Sequence, residues 1–139
     1  ESLFHDLDNL RTEKNMQIIL ISHAVRVTVE DPIIGAYDRM EPNLYKKAVP
    51  LLVAWADIVA YMDFEKAIQN KGDKESSRTV RTAKKSKANN RVLHFLDDGS
   101  YIAKNRRGLP DKMDVAIGEG WGAVEKAMKA AEKKENSKK

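Results

Sequence analysis

The run MQIILISHA, residues 16–24, constrains this chain more than any other stretch. It is too short to cross a bilayer, which takes roughly 18 or more apolar residues. It also lacks the alternation of a strand with one wet face. Continuous and rich in Ile, it has the pattern of a central strand buried on both faces of a parallel sheet. Ahead of it Leu3, Leu7 and Leu10 fall at helical spacing, with Phe4 beside them and charges opposite, which predicts an amphipathic helix over residues 1–15. A helix followed by a doubly buried strand implies an α/β layered fold. The 139 residues leave room for one domain with a core of its own.

From Val25 to Asn43 the chain contains Pro32, Gly35 and Pro42, and no period is sustained. This predicts a loop of about twenty residues, a length that in compact domains usually serves function. Asn43 is placed to cap a helix over residues 44–55, with Leu44, Ala48, Leu51, Leu52 and Trp55 as its buried face and Pro50 as a kink. DIVAYMDF (57–64) reads as a second buried strand. RVLHFL (91–96) and SYIAK (100–104) read as partner strands across the turn DDGS, and a short strand is expected over 112–117. The chain closes with a helix whose apolar stripe is Trp121, Val124, Met128 and Ala131, followed by a Lys-rich tail. No internal repeat is present.

The absence of cysteine excludes a disulfide framework and thiolate metal sites, and fits a reducing compartment. The N-terminal ESLFHDLDNL is acidic and mixed, unlike a signal peptide, so nothing targets a membrane and the expected location is the cytoplasm. Net charge is only +4, but residues 66–91 hold nine Lys/Arg against Asp73 and Glu75. This Lys-, Ser- and Asn-rich stretch reads as a loop or hairpin tip. It suits a polyanion, most simply nucleic acid, and a solvated loop shares the same composition.

Motifs narrow the chemistry. No G-x-x-x-x-G-K-[ST] occurs; GDKESS lacks the loop, and GEGWG (118–122) lacks the Lys that must reach a phosphate. Asp63, closing IVAYMD, imitates the strand-end acid that holds Mg²⁺, but without the phosphate loop the imitation is weak. His5, His23 and His94 have no HxH or HExxH spacing, so no metal site is expected. His23 directly follows the apolar run, at the position where open α/β sheets commonly bind ligands, and a satisfied structural His is the competing reading. In AKNRRGLP (103–110), Lys104, Arg106 and Arg107 crowd together before a Gly and a Pro. The residues alone leave open a solvated turn or cations that meet a phosphate.

IILISHA, the loop after it, the helix ending in AWAD, the next strand and AKNRRGLP together resemble the C-terminal half of the phage RecA-like ATP-binding proteins, in the AAA/P-loop NTPase superfamily. That group includes the Sak-type single-strand annealing recombinases. The resemblance covers residues 1–117 and is more distant to bacterial RecA. It implies an α/β fold: the C-terminal part of a RecA-like core, its mostly parallel sheet flanked by helices, with a basic hairpin or loop. Residues 118–139 then form a C-terminal helix and basic tail. The phosphate-binding loop and the Mg²⁺-holding Asp are expected ahead of residue 1, so this chain alone should not bind ATP in the normal way.

Residue by residue, the resemblance implies that His23 senses the nucleotide γ-phosphate and that residues 24–43 contact DNA through Arg26 and Arg39. It implies further that Lys104 and Arg106 reach a neighbouring subunit's ATP, while Arg107 has no clear counterpart. Tyr37 is the loop's stacking candidate, with an aromatic that anchors the loop as the equal alternative. Arg78, Arg81, Lys84, Lys85 and Lys87 are the cations expected to add DNA affinity by counterion release. ATP and Mg²⁺ are the implied cofactors. Single-stranded DNA, further copies in a ring or filament, and a single-strand binding protein are the implied partners, within a phage-infected or prophage-carrying bacterium. The competing readings are a non-catalytic nucleic-acid-binding or assembly module and a helicase-like motor.

Overall fold

The computed structural model describes residues 2–64, 66–71, 80–85 and 91–136. These fall into two compact units, one made of Glu1–Ala56 with Gly99–Ile102, the other of Asp57–Asp98 with Ala103–Lys139. Among the described residues no helix is long and apolar enough to cross a membrane.

The first unit contains α1 (Ser2–Glu13), the strands β1 (Ala24–Asp31) and β2 (Gly35–Pro42), and α2 (Ala48–Trp55). The predicted amphipathic helix is α1. Its Phe4 ring lies 5.5 Å from the Trp55 ring of α2, and the Trp55 indole N–H donates to the Asp8 carboxylate at 3.1 Å. Helix α2 begins four residues later than expected, and Asn43 does not cap it. Pro50 therefore falls in the first turn, where its missing N–H removes no intrahelical bond, and it marks a helix start instead of a kink.

Two expectations for this unit fail. Residues 25–43 form an antiparallel hairpin, with β1 and β2 paired in register from Ala24↔Pro42 to Asp31↔Gly35. Val25, Val27 and Val29 alternate with Arg26, Thr28 and Glu30, and Pro32 and Gly35 belong to the turn between the strands. The Asp31 carboxylate accepts the N–H of Ile33 (2.8 Å) and of Ile34 (3.0 Å) across that turn, and Gly35 takes a left-handed φ of 84°. The other failure is the apolar run, since residues 16–23 form no strand. Met16, Ile19, Leu20 and Ile21 are exposed, Ile21 at 94%. A doubly buried strand needs a neighbour along each edge and cover on each face, and no described strand runs beside this segment.

Gly99–Ile102 completes the unit by lying along β2. The Met40 N–H donates to Ser100 O at 2.8 Å and the Ile102 N–H to Met40 O at 3.0 Å, with Tyr101 bridged in parallel to Met40.

The second unit contains β3 (Ile58–Val59), β4 (Tyr61–Phe64), β5 (Lys66–Lys71), β6 (Val80–Lys85), β7 (Arg91–His94), β8 (Lys104–Asn105), β9 (Lys112–Val115) and α3 (Gly120–Asn136). The order β4-β7-β9 forms a three-stranded sheet, while β3 pairs with β8 and β5 with β6. Every one of these pairings is antiparallel. The fold is α/β in content, but the expected parallel sheet is not formed by the described strands. Parallel neighbours need a crossover of a dozen or more residues, usually a helix, and among the described residues no helix links consecutive strands of the β4-β7-β9 sheet. Likewise SYIAK does not pair with RVLHFL. Both edges of β7 are taken by β4 and β9, which leaves residues 100–102 to β2 and residues 104–105 to β3.

Leu93 and Val115 line one face of the three-stranded sheet and cluster with Phe95, Leu109 and Val124, which α3 contributes. Ile58, Met113, Ala127 and Met128 pack around them. Phe95, at 1% exposure, is the centre of this core. The helical spacing of Val124 and Met128 on α3 is thus a packing stripe, as expected, with Trp121 at its exposed end.

Candidate functional site

Residues 103–110 leave the sheet as a braced loop. Backbone pairing of β3 with β8, Ile58↔Asn105 and Val59↔Lys104, fixes where it departs. The strand ends at Asn105, so the alternation that would put Lys104 and Arg106 on one side does not extend to Arg106. Asn105 then turns the chain with its own side chain. Its Oδ1 accepts the N–H of Arg107 (3.2 Å) and of Leu109 (3.1 Å), and its Nδ2 donates to Leu109 O (2.7 Å). Asn is suited to this because its short amide reaches the backbone two residues on. Gly108 supplies the left-handed φ of 65° that lets the loop close, and Leu109 returns it to the core.

Asp57 holds the loop from the other side. Its backbone C=O accepts the Arg106 N–H at 3.1 Å, and its carboxylate pairs with the Arg107 guanidinium at 3.0 Å. The three cations therefore differ in state. Arg107 is engaged by Asp57. The Arg106 guanidinium, exposed, has no hydrogen-bond or ion-pair partner among the described residues. Lys104 is half-buried, and its pKa lies below the ordinary lysine value: desolvation lowers it first, the Arg106 charge lowers it further, and Asp57 opposes both. Such a cluster favours an added anion, because an anion relieves the repulsion between Lys104 and Arg106.

The remaining candidates lie elsewhere. His23 belongs to the first unit, exposed at the foot of the hairpin, where its backbone C=O accepts from the Asn43 N–H (2.7 Å) and the Ser22 hydroxyl (2.9 Å). Arg26 pairs across the hairpin with Met40, and Arg39 with Val27 on the next rung, so the two arginines occupy opposite faces. Arg26 is exposed on the face of Thr28, Glu30 and Asp38, where the Thr28 hydroxyl donates to Asp38 at 2.7 Å. Arg39 shares the other, half-buried face with Tyr37 and is held by Glu41 at 2.7 Å. Acids outnumber bases on this hairpin, with Glu30, Asp31, Asp38 and Glu41 against Arg26 and Arg39.

The β5-β6 hairpin has the reverse character. Its strands KAIQNK and VRTAKK contain no acid. In the backbone register Lys66 stands opposite Lys85 and Ala67 opposite Lys84. Arg78 and Lys87 lie outside the described residues.

Sequence reasoning missed Asp57 and Asn105. The signal for Asn105 is N-x-x-G inside AKNRRGLP, a spacing that suits a side chain closing its own loop. Among the described residues no three His, Asp or Glu side chains gather as metal ligands. Lys104 and Arg106 bring like charges close enough to act on each other. A family model described as an AAA domain matches residues 2–107, a span that ends within this loop. No curated protein and no solved structure matches the chain.

Proposed function

From the premise that the chain belongs to the AAA-domain family, whose members are ATPase-type, nucleotide-binding proteins, we propose that it forms part of a DNA-dependent, RecA-type ATPase. The setting is phage recombination or single-strand annealing. Lys104 and Arg106 act in trans on ATP held by a neighbouring subunit. The observation that carries this reading is the braced loop, in which Arg106 is anchored through its backbone while its guanidinium has no described partner. When bound, ATP supplies the phosphoryl group whose negative charge positioned cations stabilise. Lys104 and Arg106 meet that charge, and the Asn105 brace removes the cost of ordering them at the moment of reaction. These residues contain no phosphate-binding loop, so the nucleotide itself is held by residues outside them. His23 reports nucleotide state to the hairpin that begins at its neighbour, Ala24.

Single-stranded DNA is the macromolecular ligand, and the β5-β6 hairpin carries most of the contact, with Arg26, Arg39 and Tyr37 contributing from the first hairpin. The acid-free strands of β5 and β6 support this assignment, and they equally favour the second reading, a non-catalytic nucleic-acid-binding module. ATP turnover separates the two. It is measured with and without single-stranded DNA, on this chain together with the polypeptide that provides the phosphate-binding loop. Lys104→Ala and Arg106→Ala are each expected to lower turnover by about 10³-fold or more while leaving nucleotide affinity intact. Turnover that survives both substitutions leaves the non-catalytic module as the reading.

A further inference from the structure

Strand β1 has β2 along one edge, and among the described residues no other strand and no other backbone hydrogen bond reaches its second edge. That edge is eight residues long, and it contains no Pro, no Lys and no bulge, the devices that commonly keep an edge from pairing with another chain. Val25, Val27 and Val29 alternate along it with Arg26, Thr28 and Glu30, and Val and Thr suit a paired strand. Arg26 and Glu30 lie on the same, exposed face. Four residues of strand hold them about 13 Å apart, too far to pair with each other. Neither has an ion-pair partner among the described residues.

We propose that β1 is a docking edge for a second copy of this chain, whose own β1 adds to it antiparallel about a two-fold axis. An axis perpendicular to the sheet keeps each face on its own side, so even-numbered residues meet even-numbered ones. One of the registers this allows sets both charges opposite their complements: Arg26 stands opposite Glu30 of the second copy, and Glu30 opposite its Arg26. The same register sets Thr28 against Thr28 on the axis, and Val27 against Val29 of the second copy on the other face. Opposite-charge, Thr–Thr and β-branched pairs are the kinds of cross-strand pair that stabilise a sheet. A shift of two residues either way sets Arg26 against Thr28 or Pro32, and leaves Glu30 opposite Ala24 or Thr28. The edge is thus complementary to itself, which selects a second copy over an unrelated strand. Joining also extends a two-stranded sheet, marginal by itself, to four strands across the axis. The contact is isologous, the same patch on both copies. It is therefore distinct from any head-to-tail contact through which Lys104 and Arg106 act in trans, and does not depend on that reading.

The test is sedimentation of the full chain over a range of concentrations, which should show a monomer–dimer equilibrium. Arg26→Glu and Glu30→Arg each set like charges opposite one another at both ends of the joint, and each should raise the dimer Kd by about tenfold or more. The double substitution exchanges the two charges and should bring the Kd back to within about threefold of the parent's. A fold damaged by either single change would not recover in this way. Because the chain has no cysteine, one introduced thiol reports on one position. Thr28→Cys should link two copies by a disulfide under mild oxidation, since directly opposed residues of an antiparallel pair lie within the Cα separation a disulfide spans. Arg26→Cys, about 13 Å from its own counterpart, should not. A chain that stays monomeric, or a dimer indifferent to both charge reversals, overturns the proposal. So does a double substitution that fails to restore a dimer weakened by the single ones, and so does linkage through Arg26→Cys as ready as that through Thr28→Cys.

Discussion

Asn105 turns the chain, ties Arg107 and Leu109 to itself, and thereby sets the direction in which Arg106 leaves the sheet. Replacing it with Ala strips three hydrogen bonds from a half-buried position. A loss of about 1–3 kcal/mol of stability is expected in denaturant unfolding, and the amides of Arg107 and Leu109 should lose protection from exchange. Unchanged protection would mean that Gly108 and the Asp57 contacts hold the loop without it. At this scale the sequence was partly legible. The crowding of Lys104, Arg106 and Arg107 drew attention to the loop, because charge density is a local property. The partition of those cations was hidden, because the acid that divides them lies fifty residues away in sequence. Nothing local to WAD says that Asp57 will meet Arg107.

Among the elements, the helices were the most legible and the strand at residues 16–24 the least. Leu3, Leu7 and Leu10, like Val124 and Met128, announce helices through a period that each segment carries by itself. MQIILISHA announces only that it needs cover, and a pattern cannot supply the neighbours that make it a strand. The β1-β2 hairpin was obscured for a different reason: Pro32 and Gly35 read as loop breakers, although they sit only in its turn. That turn has a pH dependence of defined sign. The N–H groups of Ile34 and Ile33 hold the Asp31 carboxyl below its ordinary pKa, with partial burial opposing. A carboxyl depressed in the folded state stabilises above its unfolded value and loses that contribution as pH falls through the folded value. The amide resonances of Ile33 and Ile34 are therefore expected to hold steady at neutral pH and to shift below about pH 4. Asp31→Ala should abolish the shift, and an unresponsive pair of amides in the parent would show that the carboxylate does not close the turn.

Across the whole molecule, a net charge of +4 conceals a contrast between the acid-rich β1-β2 hairpin and the strands β5 and β6, which contain no acid. If single-stranded DNA is the ligand, every cation withdrawn from a phosphate should flatten the dependence of log affinity on log salt by about 0.7. Substituting Arg81, Lys84 and Lys85 together with Ala is thus expected to flatten the slope by about 2. The same treatment of Arg26 and Arg39 should matter less, because Arg39 is held by Glu41 and faces away from Arg26. Equal slopes for the two variants would shift the DNA interface back to the first hairpin. The division into units has its own consequence for heredity. Gly99–Ile102 is counted with the first unit, yet the residues on both sides of it are counted with the second. No single crossover between related genes can exchange either unit whole. A chimera joined at Ala56 would set β2 from one parent beside a Gly99–Ile102 segment from the other, whose backbone hydrogen bonds to Met40 would have to re-form.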